Sequence, residues 1–230
     1  MKPNLKPLLI LLLILATCLS SSGQDAKESE PYKQEKAVYQ LGSRYADVEI
    51  ARNAIYNLMA MDPNDASLLD SLAYMYYDYQ KYTSCLLVCL DIIKRNPDHL
   101  PALEMSGVAY ESLGLKDKAL TAYESIYLRN NSVLTLYKMA ILQLDLNRLG
   151  ESMTNVGILL EKEETKEAKV SINTPQGPSQ ISLTAAVYNL KGLIESSQEN
   201  KEAARTSFQE ALTLEPDFTV AKNNLEELDK

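Results

Sequence analysis

The side chains of this 230-residue chain that could carry chemistry are few and scattered. Its one histidine, His99, follows Pro97 and Asp98 and is expected to sit solvated in a turn. An imidazole does catalytic or metal work beside a nucleophile, a carboxylate or further ligands, and no such cluster surrounds it in the sequence. No HExxH, GxSxG, CxxC or glycine-rich phosphate loop occurs. Carboxylates are plentiful, but Glu161, Glu163, Glu164 and Glu167 read as the wet end of a helix rather than as an acid–base pair. Cys85 and Cys89 stand four apart on one expected helix, where a disulfide would demand distortion, so both are expected as buried free thiols. No catalytic residue, cofactor or metal site is expected. The chain's chemical resource is tyrosine: Tyr74, Tyr76, Tyr77, Tyr79 and Tyr82 crowd into nine residues. Such rings offer large contact area at small entropic cost, which suits recognition.

The elements that must hold these residues repeat. Pro63, Pro97 and Asn131 fall 34 residues apart, each closing a helical stretch. Ala66–Pro97 carries Leu69, Leu72, Ala73 and Tyr76 on a first helix, then Cys85, Cys89 and Ile92 on a second. Leu100–Asn131 repeats this with Leu103, Gly107 and Tyr110, then Ala119, Tyr123 and Ile126. Ala185–Pro216 has Tyr188, Gly192, Ala204, Phe208, Ala211 and Pro216; Tyr32–Pro63 fits more loosely through Val38, Tyr39, Ala51, Ile55 and Leu58. A small residue on one helix lets two backbones approach, and a bulky one a turn away fills the groove beside it. Each helix has one apolar stripe that a single pair cannot cover, so pairs must stack.

A unit of two helices at this period resembles the tetratricopeptide repeat (TPR) family, over roughly residues 32–230. The match is tightest at 185–216, apart from Lys191 and Glu195, where the family usually has an apolar residue and a tyrosine. The resemblance implies an all-α helical-hairpin solenoid of about five repeats. The fourth unit is degenerate. Starting it at Leu134 suits Tyr137, Leu144 and Leu160, whereas sliding back one residue suits Ala140, Ser152, Val156 and Leu159; the choice stays open. Val220–Leu228 reads as a polar closing helix.

In TPR proteins the first helix of each pair lines a concave groove. Carried onto this chain, that places Asp70, Tyr74, Tyr77, Asp78, Glu104, Val108 and Glu111 in the groove, while Tyr76 falls on a core position. Tyrosine flanked by carboxylates implies a protein or peptide partner carrying lysine or arginine. A small molecule or glycan held among the tyrosines is the alternative.

Residues 1–23 have the build of an export signal: Lys2 and Lys6, the apolar run Leu8–Leu15, then small residues to Gly23. The apolar run is too short to span a bilayer. Cleavage before Gln24 is expected, leaving 24–31 as a flexible segment; the competing reading is a bacterial lipobox at Leu15–Cys18 with Cys18 lipidated. The expected location is periplasmic or envelope-associated. With a formal net charge of −8, binding to nucleic acid or to anionic headgroups is disfavoured.

From Thr165, near the fourth unit's expected end, to Pro216 is 51 residues, 17 beyond one period. Lys169–Asn173 and Ser179–Leu183 alternate apolar and polar residues around Thr174–Pro178, predicting a β-hairpin within 166–184. Pairing Ile172 with Ile181 and Val170 with Leu183 leaves Pro175–Pro178 as the loop and four apolar side chains on one face. Its outer edge could add a peptide strand, or the insertion could only plug the repeat array. The predicted organisation is therefore a leader (1–23), a flexible segment (24–31), repeats one to four (32–165), the insertion (166–184), and the last repeat with its closing helix (185–230).

Overall fold

The computed structural model describes residues 26–27, 29–174 and 177–228; the leader, Cys18, the cleavage site and positions 175–176 lie outside them. Twelve helices and two strands occur among the described residues, giving the expected all-α class with one small hairpin. The chain divides into two compact units that meet between Met105 and Ser106.

The first unit holds α1 (Glu30–Arg44), α2 (Val48–Met61), α3 (Ala66–Asp78), α4 (Tyr82–Arg95) and the start of α5 (Leu100–Ser112). Helix α1 begins inside the segment expected to be flexible, with Ser29 capping the Tyr32 amide. Lys27 reaches the Asp65 carboxylate at 2.7 Å. Tyr32, Ile55, Leu58, Leu68 and Leu72 form one buried cluster. Leu69, Ala73, Cys85, Cys89 and Ile92 form the next, which Ala102 and Met105 complete. Each stripe is therefore closed by the helix pair that follows it.

The second unit holds the rest of α5, then α6 (Lys116–Asn130), α7 (Val133–Asp145), α8 (Leu149–Glu161) and the short α9 (Glu163–Glu167). Strands β1 (Lys169–Thr174) and β2 (Gly177–Ser182) follow, then α10 (Leu183–Ser197), α11 (Lys201–Leu214) and α12 (Thr219–Glu227). The closing helix α12 is tied down by Asn224 donating to Asn189 at 2.8 Å and by buried Ala221.

Backbone dihedrals display the repeat more plainly than side chains do. The turn between the two helices of each pair contains one residue of positive φ: Ala46, Gln80, Gly114, Asn147 and Glu199. The first three are 34 apart, Asn147 comes 33 later, and Glu199 lies 52 beyond that. The shortened step resolves the fourth repeat in favour of the earlier register, with Ala140, Ser152, Val156 and Leu159 buried and Gly157 exposed. Its cause is Asn131. Elsewhere the second helix stops at Asp62, Asn96 or Glu215 and a proline follows. Proline cannot take positive φ, whereas Asn131 caps α6 at φ 49, so α7 starts at Val133, two residues after that cap, where Ala66 and Leu100 come four after theirs.

Within each pair the backbones approach at a small residue. A Cβ on Gly42 would lie 2.7 Å from the Ala51 nitrogen, one on Gly107 3.1 Å from the Tyr123 ring, and one on Gly192 2.5 Å from the Phe208 ring. Ala73 and Ala140, fully buried, hold the place of Gly107 and Gly192 in their own repeats, whereas Gly42 stands three residues further along its repeat; Ser152 donates to the Ala140 carbonyl at 2.7 Å. The two departures in the last repeat answer one another. Lys191 lies 3.8 Å from Glu195, and buried Glu195 accepts from Ser207 at 2.6 Å.

The hairpin forms, but two residues out from the predicted register. Val170 pairs with Ile181, Ile172 with Ser179 and Thr174 with Gly177, so the connection is 175–176 rather than Pro175–Pro178. Leu183 is taken from the strand because it opens α10, fully buried, its amide donating to Ala168 at 2.9 Å. Gly177, at φ 114, supplies a conformation that side chains resist. An even shift keeps the same residues on the same face, and Val170, Ile172 and Ile181 pack with Tyr137, Ala185, Tyr188 and Phe218.

Gly42→Ala gains about 1 kcal/mol of helix propensity but meets immovable backbone, an overpacking cost of up to about 3 kcal/mol; a lower urea midpoint is expected. Gln80→Gly releases a left-handed side chain and should stabilise by about 1 kcal/mol on the same assay.

Candidate functional site

In the first unit, α1 and α3 are the first helices of successive pairs, and a cleft of about 340 Å³ opens between them. Tyr39, Gly42, Ser43 and Ala46 face it from α1 and its turn; Ser71, Tyr74, Met75 and Asp78 face it from α3. Both sets run i, i+3, i+4, i+7, the spacing of one helix face. Gly42 leaves the floor open, and Tyr74 and Tyr79 are 48% and 45% exposed at the rim. Asp78 is exposed and has no ion-pair partner among the described residues.

The seven residues expected in the groove separate. Tyr74 and Asp78 share the cleft. Tyr77 instead packs against the Leu69–Ala73–Cys85 cluster; burial raises its phenol above the usual value, and nearby Tyr82 and Cys85 add to the shift. Asp70 lies 3.3 Å from His99 Nε2. Glu104 is exposed on α5. Val108 and Glu111 belong to the second unit, where Val108 is half-buried and Glu111 is engaged: it accepts from the Tyr123 hydroxyl at 2.6 Å and pairs with Lys138 at 3.1 Å. Tyr39 and Ser43, one turn apart on α1, also line the cleft and were not among the seven expected residues.

His99 is not the free loop residue that its position suggests. Its Nδ1 accepts from the Ala102 amide at 3.3 Å while Nε2 faces Asp70, so it caps α5 and links that helix to α3. Tyr76 on α3 hydrogen-bonds Tyr56 on α2 of the preceding pair at 2.8 Å. Cys85 and Cys89 are both buried with their sulfurs 3.8 Å apart; the hydrogen bond to Cys85 and burial push the Cys89 thiol far up. Among the described residues no group of three histidine, cysteine or acidic side chains could hold a metal, and no helix is long and apolar enough to cross a membrane.

A second cleft, of about 400 Å³, lies within the second unit between α7 and β1. Leu134, Tyr137, Lys138 and Ile141 wall one side and the consecutive residues Lys169–Ile172 the other. Burial holds the Tyr137 phenol up at about 12.

Comparison with known proteins agrees with this geometry. Residues 185–218 match the tetratricopeptide repeat family model. The solved structure of YrrB, described as a TPR protein with an unusual peptide-binding site, superposes with TM-score 0.64 at 15% identity, covering 89% of this chain and 96% of that one. MamA 41-end from Desulfovibrio magneticus RS-1 gives TM-score 0.61 at 13% identity over 83% and 98% of the two chains. A tetratricopeptide repeat protein from Parabacteroides merdae ATCC 43184 gives 0.52 at 15% identity over 88% and 100%. No curated protein sequence matches the chain. Residues 185–218 thus match a tetratricopeptide repeat in sequence, and the described residues share with these structures a fold of consecutive helical hairpins.

Because the folded Tyr137 pKa lies above its usual value of 10.0, that residue's contribution to stability is whole below pH 10 and is lost as pH rises toward about 12. Urea midpoints measured from pH 9 to 12 should fall less steeply for Tyr137→Phe than for the parent chain.

Proposed function

We propose that this protein is an exported, non-enzymatic interaction scaffold of the cell envelope that holds an extended protein segment in the α1–α3 cleft. One observation carries the reading: the cleft combines exposed tyrosine rings with an unpaired carboxylate, Asp78, on the first helices of adjacent repeats. The fold supports it, as does the peptide-binding description of one structural neighbour. The leader-like residues 1–23 support export, with either cleavage before Gln24 or lipid attachment at Cys18.

The magnitudes divide the labour. A solvent-exposed ion pair at Asp78 is worth about 0.2–1 kcal/mol, whereas a well-placed tyrosine contact can be worth about 2 kcal/mol or more. The tyrosines therefore supply affinity, and Asp78, with Glu104 beyond the cleft, favours lysine or arginine in the bound segment. The aliphatic stem of such a residue lies along a ring while its charged end reaches the carboxylate. A second reading, a small molecule or glycan in the same cleft, is favoured by its volume, which falls within the range of ligand pockets.

The test is affinity capture from the native envelope with the parent chain and with Tyr74→Ala/Asp78→Ala. The variant should lose at least tenfold of a captured protein while its helical circular dichroism is unchanged. Undiminished capture would remove the cleft as the site, and capture of no protein alongside co-purification of a glycan would favour the second reading. Mass spectrometry of the mature N-terminus distinguishes Gln24 from a diacylglyceryl Cys18.

A further inference from the structure

The insertion that interrupts the repeat is a hairpin with an open strand edge. The sheet has two strands among the described residues, so β1 has one edge bonded to β2 and one edge that no described strand occupies. Which backbone groups face that edge follows from the register. Pro178 has no amide hydrogen and stands opposite Asn173, a pairing that fits a non-hydrogen-bonded position of the antiparallel ladder. The Leu183 amide bonded to the Ala168 carbonyl fixes the same alternation from the other end. Ser171 opposite Gln180 and Lys169 opposite Ser182 are then also non-hydrogen-bonded pairs, and their N–H and C=O groups point to the free edge.

The second cleft runs along that edge. It is lined by four consecutive residues of β1, odd and even alike, and by none of β2. A cavity on one face of the sheet would meet alternate side chains only, so this one lies beside the strand. Its opposite wall is apolar: half-exposed Leu134 and half-buried Tyr137 and Ile141. Lys169 is exposed at its mouth with no carboxylate partner among the described residues, and Lys138 is adjacent, its charge shared with Glu111. In a chain of net charge −8 this is a locally basic, apolar slot beside an open ladder.

We infer that this slot binds an extended peptide segment of alternating apolar and acidic residues, which adds as a third strand to β1. The segment's backbone bonds Lys169 and Ser171, an apolar side chain enters between Tyr137 and Ile141, and a carboxylate meets Lys169. The site is independent of the α1–α3 cleft and selects the opposite charge.

The test uses the full chain and a fluorescein-labelled octapeptide of alternating valine and glutamate, followed by anisotropy. Two further peptides carry N-methyl groups on either the valine or the glutamate amides, which block one edge of the peptide strand each. The parent peptide should bind, one methylated form should bind at least tenfold more weakly and the other should match the parent. Ser171→Pro, which removes an outward amide at a position where proline is tolerated, should weaken binding at least tenfold. An alternating valine–lysine peptide should bind more weakly than the glutamate peptide, with Lys169→Glu reversing that order. No binding of the parent peptide, equal binding of the two methylated forms, or equal binding of the lysine peptide would overturn the proposal. So would sedimentation showing a concentration-dependent dimer that Ser171→Pro abolishes, since a second copy would then occupy the edge. The methylated peptides act on the unaltered protein, so the outcome stands even if the proline variant folds poorly.

Discussion

Everything in this fold rests on how closely the two helices of a pair can approach. At Gly42 and Gly192 the first helix comes so near the second that a single methyl group would press on the Ala51 backbone or the Phe208 ring. That separation sets the tilt of each pair and hence which apolar side chains remain uncovered for the next. The clusters at Tyr32–Leu72 and Leu69–Met105 show the result: the second is built from side chains that the first leaves on the far side of α3. Dispersion and burial reward such contacts only at close range, so the small residues matter through what they leave out.

Departures from the repeat are compensated locally. Where proline is replaced by Asn131, a left-handed cap closes α6 and shifts the following pair by one residue without breaking the stack. Where a tyrosine is replaced by Glu195, Ser207 and Lys191 satisfy the carboxylate. Where seventeen or so residues are inserted, α9 and a two-stranded hairpin absorb them, and the hairpin's apolar face joins the core of the last repeat. The hairpin's other asset, an unpaired edge beside an apolar slot, is left over once the packing is accounted for.

The fold was legible because its rules are local and periodic: prolines, small residues and stripes recur at fixed separations. Details that failed to read correctly depend on groups distant in sequence. The hairpin register hinged on whether Leu183 served a strand or opened a helix, and the buried start of α10 decided it. His99 looked idle because nothing in the sequence places Asp70 beside it. The expected placement on one face was legible at Tyr74 and Asp78, which helical spacing alone puts side by side and which line one cleft. It was less so at Asp70 and Glu111, whose charges are engaged by His99, Tyr123 and Lys138 across helices, and at Tyr77, which packs against the Leu69–Ala73–Cys85 cluster.

The most direct test of the close-approach account is a double-mutant cycle on Gly192 and Phe208 in urea. If the ring and the missing methyl group share one space, Phe208→Leu should recover part of the stability lost in Gly192→Ala, with a coupling of at least about 1 kcal/mol. Additivity within about 0.5 kcal/mol would show that the two helices do not meet there as described.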